Sequence, residues 1–239
     1  MSSPCLPAPC AGEEGTLFQR VALLSGRADW TPDAFHAHWR GPHAELALRL
    51  PALAGYTQNR VRRTLCKTAR ASVPDGIAQV WTSRAASASA ASAATAAGQA
   101  VLEDELRFLR AFDLLDVGGG SLPDDDDGHL GGIKLMGAGR MASGGDGQAF
   151  LSALARLDVF AHGRARVRMH QVVSVRGRPQ LDRHADPPAL WLCLWLQPGV
   201  DAEASGVVQC WSHAFSAGWL AQVQACAIPL QGHAKSGMP

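Results

Sequence analysis

The stretch that decides the fold is "DVGGGSLPDDDDGHLGG", residues 116 to 132. Glycines, a proline and a run of four aspartates leave nothing there to pack, so it reads as a linker. It cuts the 239 residues into two parts of similar size. Upstream, "LFQRVALLS" (17–25) reads as a strand and "TPDAFHAHWRGPHAELALRL" (31–50) as a helix, with Thr31 as N-cap and Pro32 in the first turn. "GYTQNRVRRTL" (55–65) and "GIAQVWTS" (76–83) read as strands, followed by a long Ala-rich helix and a strand at "FDLLDV" (112–117). Downstream the order returns. "GIKLMGAGR" (132–140) is a strand, "DGQAFLSALARL" (146–157) a helix, and "RARVRMHQVVSVRG" (164–177) and "ALWLCLWLQ" (189–197) are strands. "ASGVVQCWSHAFSAGWLAQV" (204–223) holds a helix and "CAIPLQG" (226–232) a short last strand.

The matched elements recur at an offset of about 114 residues, which argues for two copies of one unit despite low identity between them. A β-α-β-β-α-β unit is a ferredoxin-like sandwich, with helices on one face of its sheet and the other face bare. A bare apolar sheet face has to be covered, and the second copy is the cover at hand. The expected fold class is therefore α+β, with two ferredoxin-like units in tandem packed sheet to sheet inside one chain. The expected division is a flexible tail at 1–15, a first domain at 16–118, a linker at 119–131 and a second domain at 132–233.

Composition narrows the partners. Hydrophobic residues make up 47% and charged residues 18%, enough apolar material for a core. A net charge of +1 with no long basic block argues against nucleic acid and anionic membranes. No apolar run reaches the ~18 residues of a membrane span, and "MSSPCLPAPCAGEEG" lacks the charged and apolar regions of a secretory signal. Six cysteines are scattered with no C-x-x-C pair, as in a reduced, cytoplasmic chain. The expectation is a cytoplasmic monomer or homodimer without nucleic-acid or membrane partners.

The first helix holds the densest chemistry. On a helical projection Phe35, Trp39, Pro42, Leu46 and Leu50 form one stripe, which is the core-facing one. His38 and His43 flank it on opposite sides. His36 and His43 are seven residues apart, about 10 Å along the axis, too far to share a metal with ~2 Å bonds. The i, i+4 spacing of H-E-x-x-H is absent, and no metal site is expected. Pro42 removes a backbone donor, so Gly41-Pro42 should kink or restart the helix and could aim both histidines at one cavity. His38 and His43 then either move protons or satisfy buried groups around the kink. G-x-S-x-G and P-loop patterns are missing, the glycines of "GAGRMASGG" lack dinucleotide spacing, and "DDDD" lacks the alternation of a calcium loop.

"FHAHWRGPHAELALRLPALAGYTQNRV", "DGIAQVWTS" and "EDELRFL" resemble, in order, the segments of the EthD domain family over roughly residues 18 to 117. That family belongs to the dimeric α/β-barrel superfamily, in which two ferredoxin-like sheets pair. The resemblance implies Phe35, His38, Trp39, His43, Leu46, Tyr56, Gln58, Asn59 and Trp81 as signature positions. Of these, His38, His43 and Tyr56 are the candidate catalytic residues. Phe35, Trp39, Gln58, Asn59 and Trp81 are the candidate substrate-binding residues. The second half departs from the pattern: aligning Phe35 with Phe150 puts Ala153, Leu154 and Asp158 at the His38, Trp39 and His43 positions. Met169, Gln171 and Val172 replace Tyr56, Gln58 and Asn59. One pocket, in the first half, is therefore expected, with "ALWLCLWL" closing the other.

The family is associated with degradation and tailoring of small organics and with oxidoreductase systems. The resemblance implies proton-transfer chemistry on a carbonyl- or phenol-bearing molecule, without metal, nucleotide or other cofactor, of oxidoreductase, isomerase or dehydratase type. The alternative is a non-catalytic ligand-binding or accessory protein of an oxygenase system. Haem held by a histidine, as in related barrels, is a third reading.

Overall fold

A computed structural model describes residues 17–51, 53–83, 94–118, 132–143, 145–184 and 186–230. The expected N-terminal tail and the 119–131 linker lie outside them. The first half contains β1 (Leu17–Gly26), α1 (Pro32–His38), a π-turn (Trp39–His43), α2 (Ala44–Ala47), β2 (Leu53–Lys67), β3 (Gly76–Ser83), α3 (Ala96–Phe108) and β4 (Leu109–Val117). The second contains β5 (Ile133–Met141), α4 (Gly147–Ala155), α5 (Asp158–Ala161), β6 (Ala165–Arg176), β7 (Leu190–Leu196), α6 (Val207–Ala214) and β8 (Phe215–Ala227).

The strands close into one antiparallel barrel in the order β1-β3-β2-β8-β5-β7-β6-β4. Within the first half the order is β4-β1-β3-β2, and within the second β8-β5-β7-β6. The two sets join edge to edge, through β2 with β8 on one side and β4 with β6 on the other. Closure leaves no free sheet edge, and it turns the two helix-free faces inward. There Val21, Leu23, Ile77 and Leu115 from one half meet Met136, Trp191, Trp195 and Trp219 from the other. Outside the barrel each half keeps its own layer between helices and sheet. Phe35, Trp39, Tyr56, Phe108 and Phe112 fill the first, and Phe150, Leu154, Trp211 and Phe215 the second.

The helix starts follow their caps. Thr31 Oγ1 accepts the Ala34 N–H at 3.2 Å, Thr95 Oγ1 the Gly98 N–H at 3.0 Å, and Asp146 Oδ1 the Gln148 N–H at 2.9 Å. The expected single helix over 31–50 is divided. Pro42 cannot donate, and the chain widens into a π-turn around it. That turn takes up one extra residue and shifts the helical phase. Pro42 is exposed, and the buried positions after Trp39 are His43, Ala44 and Ala47 instead of the expected Pro42, Leu46 and Leu50.

Two other expectations are corrected. The helix expected within 204–223, with Gly206 and Gly218 near its ends, stops at Ala214, and the last strand is Phe215–Ala227, well ahead of 226–232. After Gly218, Trp219, Ala221 and Val223 face the barrel interior while Leu220 faces the helices, the period of two that defines a strand; Phe215, before the register shift, lies on the helix side. "ALWLCLWL" does not close a cavity in its own half alone. Its Trp191, Cys193 and Trp195 fill the shared barrel, and only Leu192, Leu194 and Leu196 fill the second helix layer. Among the described residues no helix is long and apolar enough to cross a membrane.

Candidate functional site

The helix layer of the first half is incompletely filled. A cavity of about 160 Å³ lies between it and the outer face of β1, β2, β3 and β4. Its walls are mostly apolar: Ala22, Leu24, Ala78, Val80, Val101, Phe112 and Leu114 among them. Its polar groups are Arg20, His43, Tyr56, Glu105 and Arg178, beside the Trp39 indole. The volume matches an engineered cavity of roughly 150 Å³ that holds one benzene ring.

His43 reaches the cavity because the π-turn rotates it inward. Its Nδ1 lies 2.9 Å from Asp104 Oδ2, and His38 Nε2 lies 3.0 and 3.1 Å from the two oxygens of the same carboxylate. Asp104 is 3% exposed. Burial works against its charge, but the hydrogen bonds and charges of the two histidines outweigh it and hold its pKa below the ordinary carboxylate value. Phe108, one turn along α3, packs against both rings at 4.9 and 5.1 Å. The carboxylate fixes the His43 ring through one nitrogen and leaves Nε2 as the nitrogen available to a ligand, the usual logic of an oriented base.

Tyr56 is buried, and burial pushes its pKa up to about 12, so it stays a phenol. Its oxygen accepts an N–H of Gln58 at 2.9 Å, and the same Gln58 nitrogen donates to the Trp39 carbonyl at 2.8 Å. The phenol hydrogen is thereby left for another acceptor. The Trp39 indole N–H acts on the same oxygen without reaching hydrogen-bond geometry, and it is buried with no completed partner.

The sequence-expected residues thus separate into three groups. Trp39, His43 and Tyr56 line the cavity. Phe35, His38 and Gln58 stand behind it: Phe35 stacks between Trp39 and Phe108, His38 holds the far side of Asp104, and Gln58 holds Tyr56. Asn59 and Trp81 are not in the site. They alternate onto the opposite face of the sheet, where Asn59 donates to Ile77 O and to Gln79 Oε1, both at 3.1 Å, inside the barrel. In the second half Asp158, the His43 counterpart, is exposed and paired with His162. Among the described residues no group of three or more His, Cys, Asp or Glu side chains is placed to hold a metal ion.

Three residues outside the candidate list complete the site, two of them within the "EDELRFL" segment of the resemblance. Asp104 is the first. Glu105, beside it, is 5% exposed and binds Arg178 through two hydrogen bonds, 2.6 Å to Nε and 3.2 Å to Nη2. The Arg178 guanidinium also lies 4.6 Å over the Phe112 ring. A signal for the two acids exists. Val101, Asp104, Glu105 and Phe108 follow i, i+3, i+4, i+7, so the acids occupy a core-facing stripe where apolar residues belong.

Arg178 comes from the loop after β6, in the other half. That loop is fastened to the first half at a second point. His184 Nδ1 lies 3.0 Å from Asp113 Oδ2, its Nε2 lies 2.9 Å from Ser25 Oγ, and Arg183 also pairs with Asp113. The order of groups is that of a nucleophile, base and acid chain. Ser25 is only 2% exposed, however, and the space beside His184 is about 10 Å³, hardly one water. The three residues act as a fastening. The strand-to-helix fit is equally tight at Gly76, where a Cβ would stand 2.5 Å from Trp39 Cζ3.

Residues 27–111 match the family model of the EthD domain. The EthD segment holds His38, His43, Tyr56, Asp104 and Glu105, and it ends before Arg178. No curated protein matches the chain. Among solved structures the chain is similar to a candidate monooxygenase from Lactobacillus acidophilus NCFM (8% identity, 90% of this chain and 97% of that one, TM-score 0.44). It is also similar to an anthrone oxidase-like protein (10%, 90% and 94%, TM-score 0.49) and to a candidate chlorite dismutase (9%, 87% and 95%, TM-score 0.45). Identities and scores at this level carry no chemistry over to the chain.

The same segment sets an acid limit on stability. His36, on the solvent side of α1, is held to a pKa of about 4, first by burial and then by the Arg60 charge. The unfolded chain binds that proton near 6.5, so the folded state loses stability as pH falls from about 6.5 towards 4 and keeps all of it above 6.5. Asp104, Asp113 and Asp116 are all held below their ordinary values and add to the loss below about 4. Melting temperatures at constant ionic strength should fall across the upper window, and His36→Gln should flatten the fall. An unchanged slope in that variant would refute the assignment.

Proposed function

We propose that the chain is an EthD-like enzyme for a small, largely apolar molecule bearing a carbonyl or phenol oxygen, and that its chemistry is proton transfer by the protein itself. One observation carries the reading: an imidazole oriented by a buried carboxylate, and a phenol kept protonated, line one apolar cavity. His43 Nε2 takes or returns the proton, worth typically 10²–10⁴-fold in rate. Tyr56 donates to the ligand oxygen, which also gives the Trp39 N–H its acceptor. The EthD match supports a place in degradation or tailoring of small organics, in oxidoreductase company. The strand orders of the halves support two ferredoxin-like units, residues 16–118 and 132–233, whose sheets pair within the chain in the manner of a dimeric α/β barrel. The second unit is a degenerate copy that carries no pocket of its own chemistry.

Calorimetric titration with one-ring phenols and aryl ketones tests the reading, with turnover followed in parallel by mass spectrometry. One site per chain is expected, with conversion that depends on His43. Binding without conversion would make the chain a ligand-binding or accessory protein. Two equivalent sites would overturn the division of roles between the halves.

A further inference from the structure

We infer that His43, Asp104 and His38 form a proton wire between the cavity and solvent, with His38 as its outer terminus. The inference rests on the reading that His43 works at the cavity. It assigns His38 a role distinct from that of a second base at the ligand.

Three observations converge. First, the two histidines are not equivalent. His43 is buried and lines the cavity, whereas the His38 side chain is 21% exposed and is absent from the cavity wall. Second, one oxygen serves both rings. Asp104 Oδ2 lies 2.9 Å from His43 Nδ1 and 3.1 Å from His38 Nε2, so a proton on it passes on without crossing the carboxyl group. Third, the junction is closed to water. Asp104 is 3% exposed, and Phe108 packs on both rings while Trp30 meets His38 edge-on at 5.2 Å. A static clamp would need only one donor per oxygen and no exposed terminus.

The wire balances. In the outward direction a ligand proton binds His43 Nε2, and the Nδ1 proton moves to Asp104 Oδ2. From there it moves to His38 Nε2, and His38 Nδ1 releases its own proton to water. One proton enters and one leaves, and no oxidant or metal is needed. Outward transfer uses His38 in its Nδ1–H form, which a part-exposed ring reaches by exchange with water. Inward transfer runs the same steps in reverse from the Nε2–H form. Asp104 and His38 are thus positioning and relay residues, and of the three only His43 touches the ligand.

Nuclear magnetic resonance on the full chain without ligand tests the wire, so its outcome is independent of whether a substrate is found. The measurement is the exchange rate of the His43 Nδ1–H with water, at increasing concentrations of phosphate or imidazole buffer. In the parent the rate should rise with buffer. In His38→Gln, whose amide keeps a hydrogen bond to Asp104 but cannot relay, the rate should drop at least about tenfold and lose its buffer dependence. His38→Phe, which fills the space with an apolar ring, should match His38→Gln. Equal exchange in the parent and in His38→Gln would overturn the wire and leave His38 a structural partner of Asp104. A working wire in a chain that converts no ligand would instead count against the proposed function alone.

Discussion

Turnover of the cavity's ligand should fall roughly 10²–10⁴-fold when His43 is replaced by alanine, the range a general acid or base typically supplies. The loss should appear mainly in kcat, because a methyl group in place of the imidazole leaves the apolar walls and Tyr56 to bind the ligand. The variant should also melt earlier, by the equivalent of about 1–3 kcal/mol, since Asp104 then keeps only His38 as a partner for a buried carboxylate. Assay and melting curve together separate the two effects. Asp158→Ala is the control. That carboxylate occupies the corresponding place in the second half but is exposed, and its removal should change neither measurement. Undiminished turnover per folded molecule of the His43 variant would remove the imidazole from the mechanism.

Gly218→Ala should destabilise the fold by roughly 3 kcal/mol or more, the sum of a forced backbone conformation and an overpacked contact. Gly218 has φ +137, and a Cβ there would stand 2.3 Å from the Ala138 carbonyl oxygen on the neighbouring strand β5. Its own N–H and C=O are engaged by Thr68, just past the end of the neighbouring strand β2. Nothing can give way but backbone. A glycine merely ending a helix would cost about 1 kcal/mol on the same change, so chemical denaturation distinguishes a mid-strand glycine from a helix cap. A loss near 1 kcal/mol would contradict the placement of Gly218 inside β8.

That same residue marks where sequence reading failed. "FSAGWLAQV" is apolar at most positions, because β8 is buried on both faces, and a strand covered on both sides loses the alternation that identifies it. The stretch 204–223 around Gly218 is therefore expected, from sequence, to hold a helix. "ALWLCLWL" was legible as a buried strand for its length, yet its sequence could not say that the tryptophans and the leucines fill different compartments. Asn59 and Trp81 failed for a related reason. Alternation tells that Tyr56 and Gln58 share a face, but which face meets the helices is decided by barrel closure between distant strands.

Other features were open to reading because they are local. Thr31 with Pro32 starts α1 by chemistry confined to one turn. Pro42 announced a break, and the break does bring both histidines to one place. What the break does to the phase of the helix was not legible, since a kink, a restart and a π-turn all satisfy the missing donor. Asp104 lay in plain sight, two acids on an apolar stripe, but its meaning depends on two rings sixty residues away in sequence.

The loop that carries Arg178 has a consequence for modularity. The first half supplies His43, Tyr56 and both buried acids, and would look self-sufficient to anyone transplanting it into another scaffold. Transplanted alone, it would leave Glu105 as an orphan charge against the cavity and Asp113 without Arg183 and His184. Removing one member of a buried ion pair is far more damaging than replacing both. The loop of the second half is therefore held in place by the first half's acids, Glu105 through Arg178 and Asp113 through Arg183 and His184. The two halves depend on one another through charge as well as through the barrel they share, and neither can be exchanged or trimmed without rewriting the other.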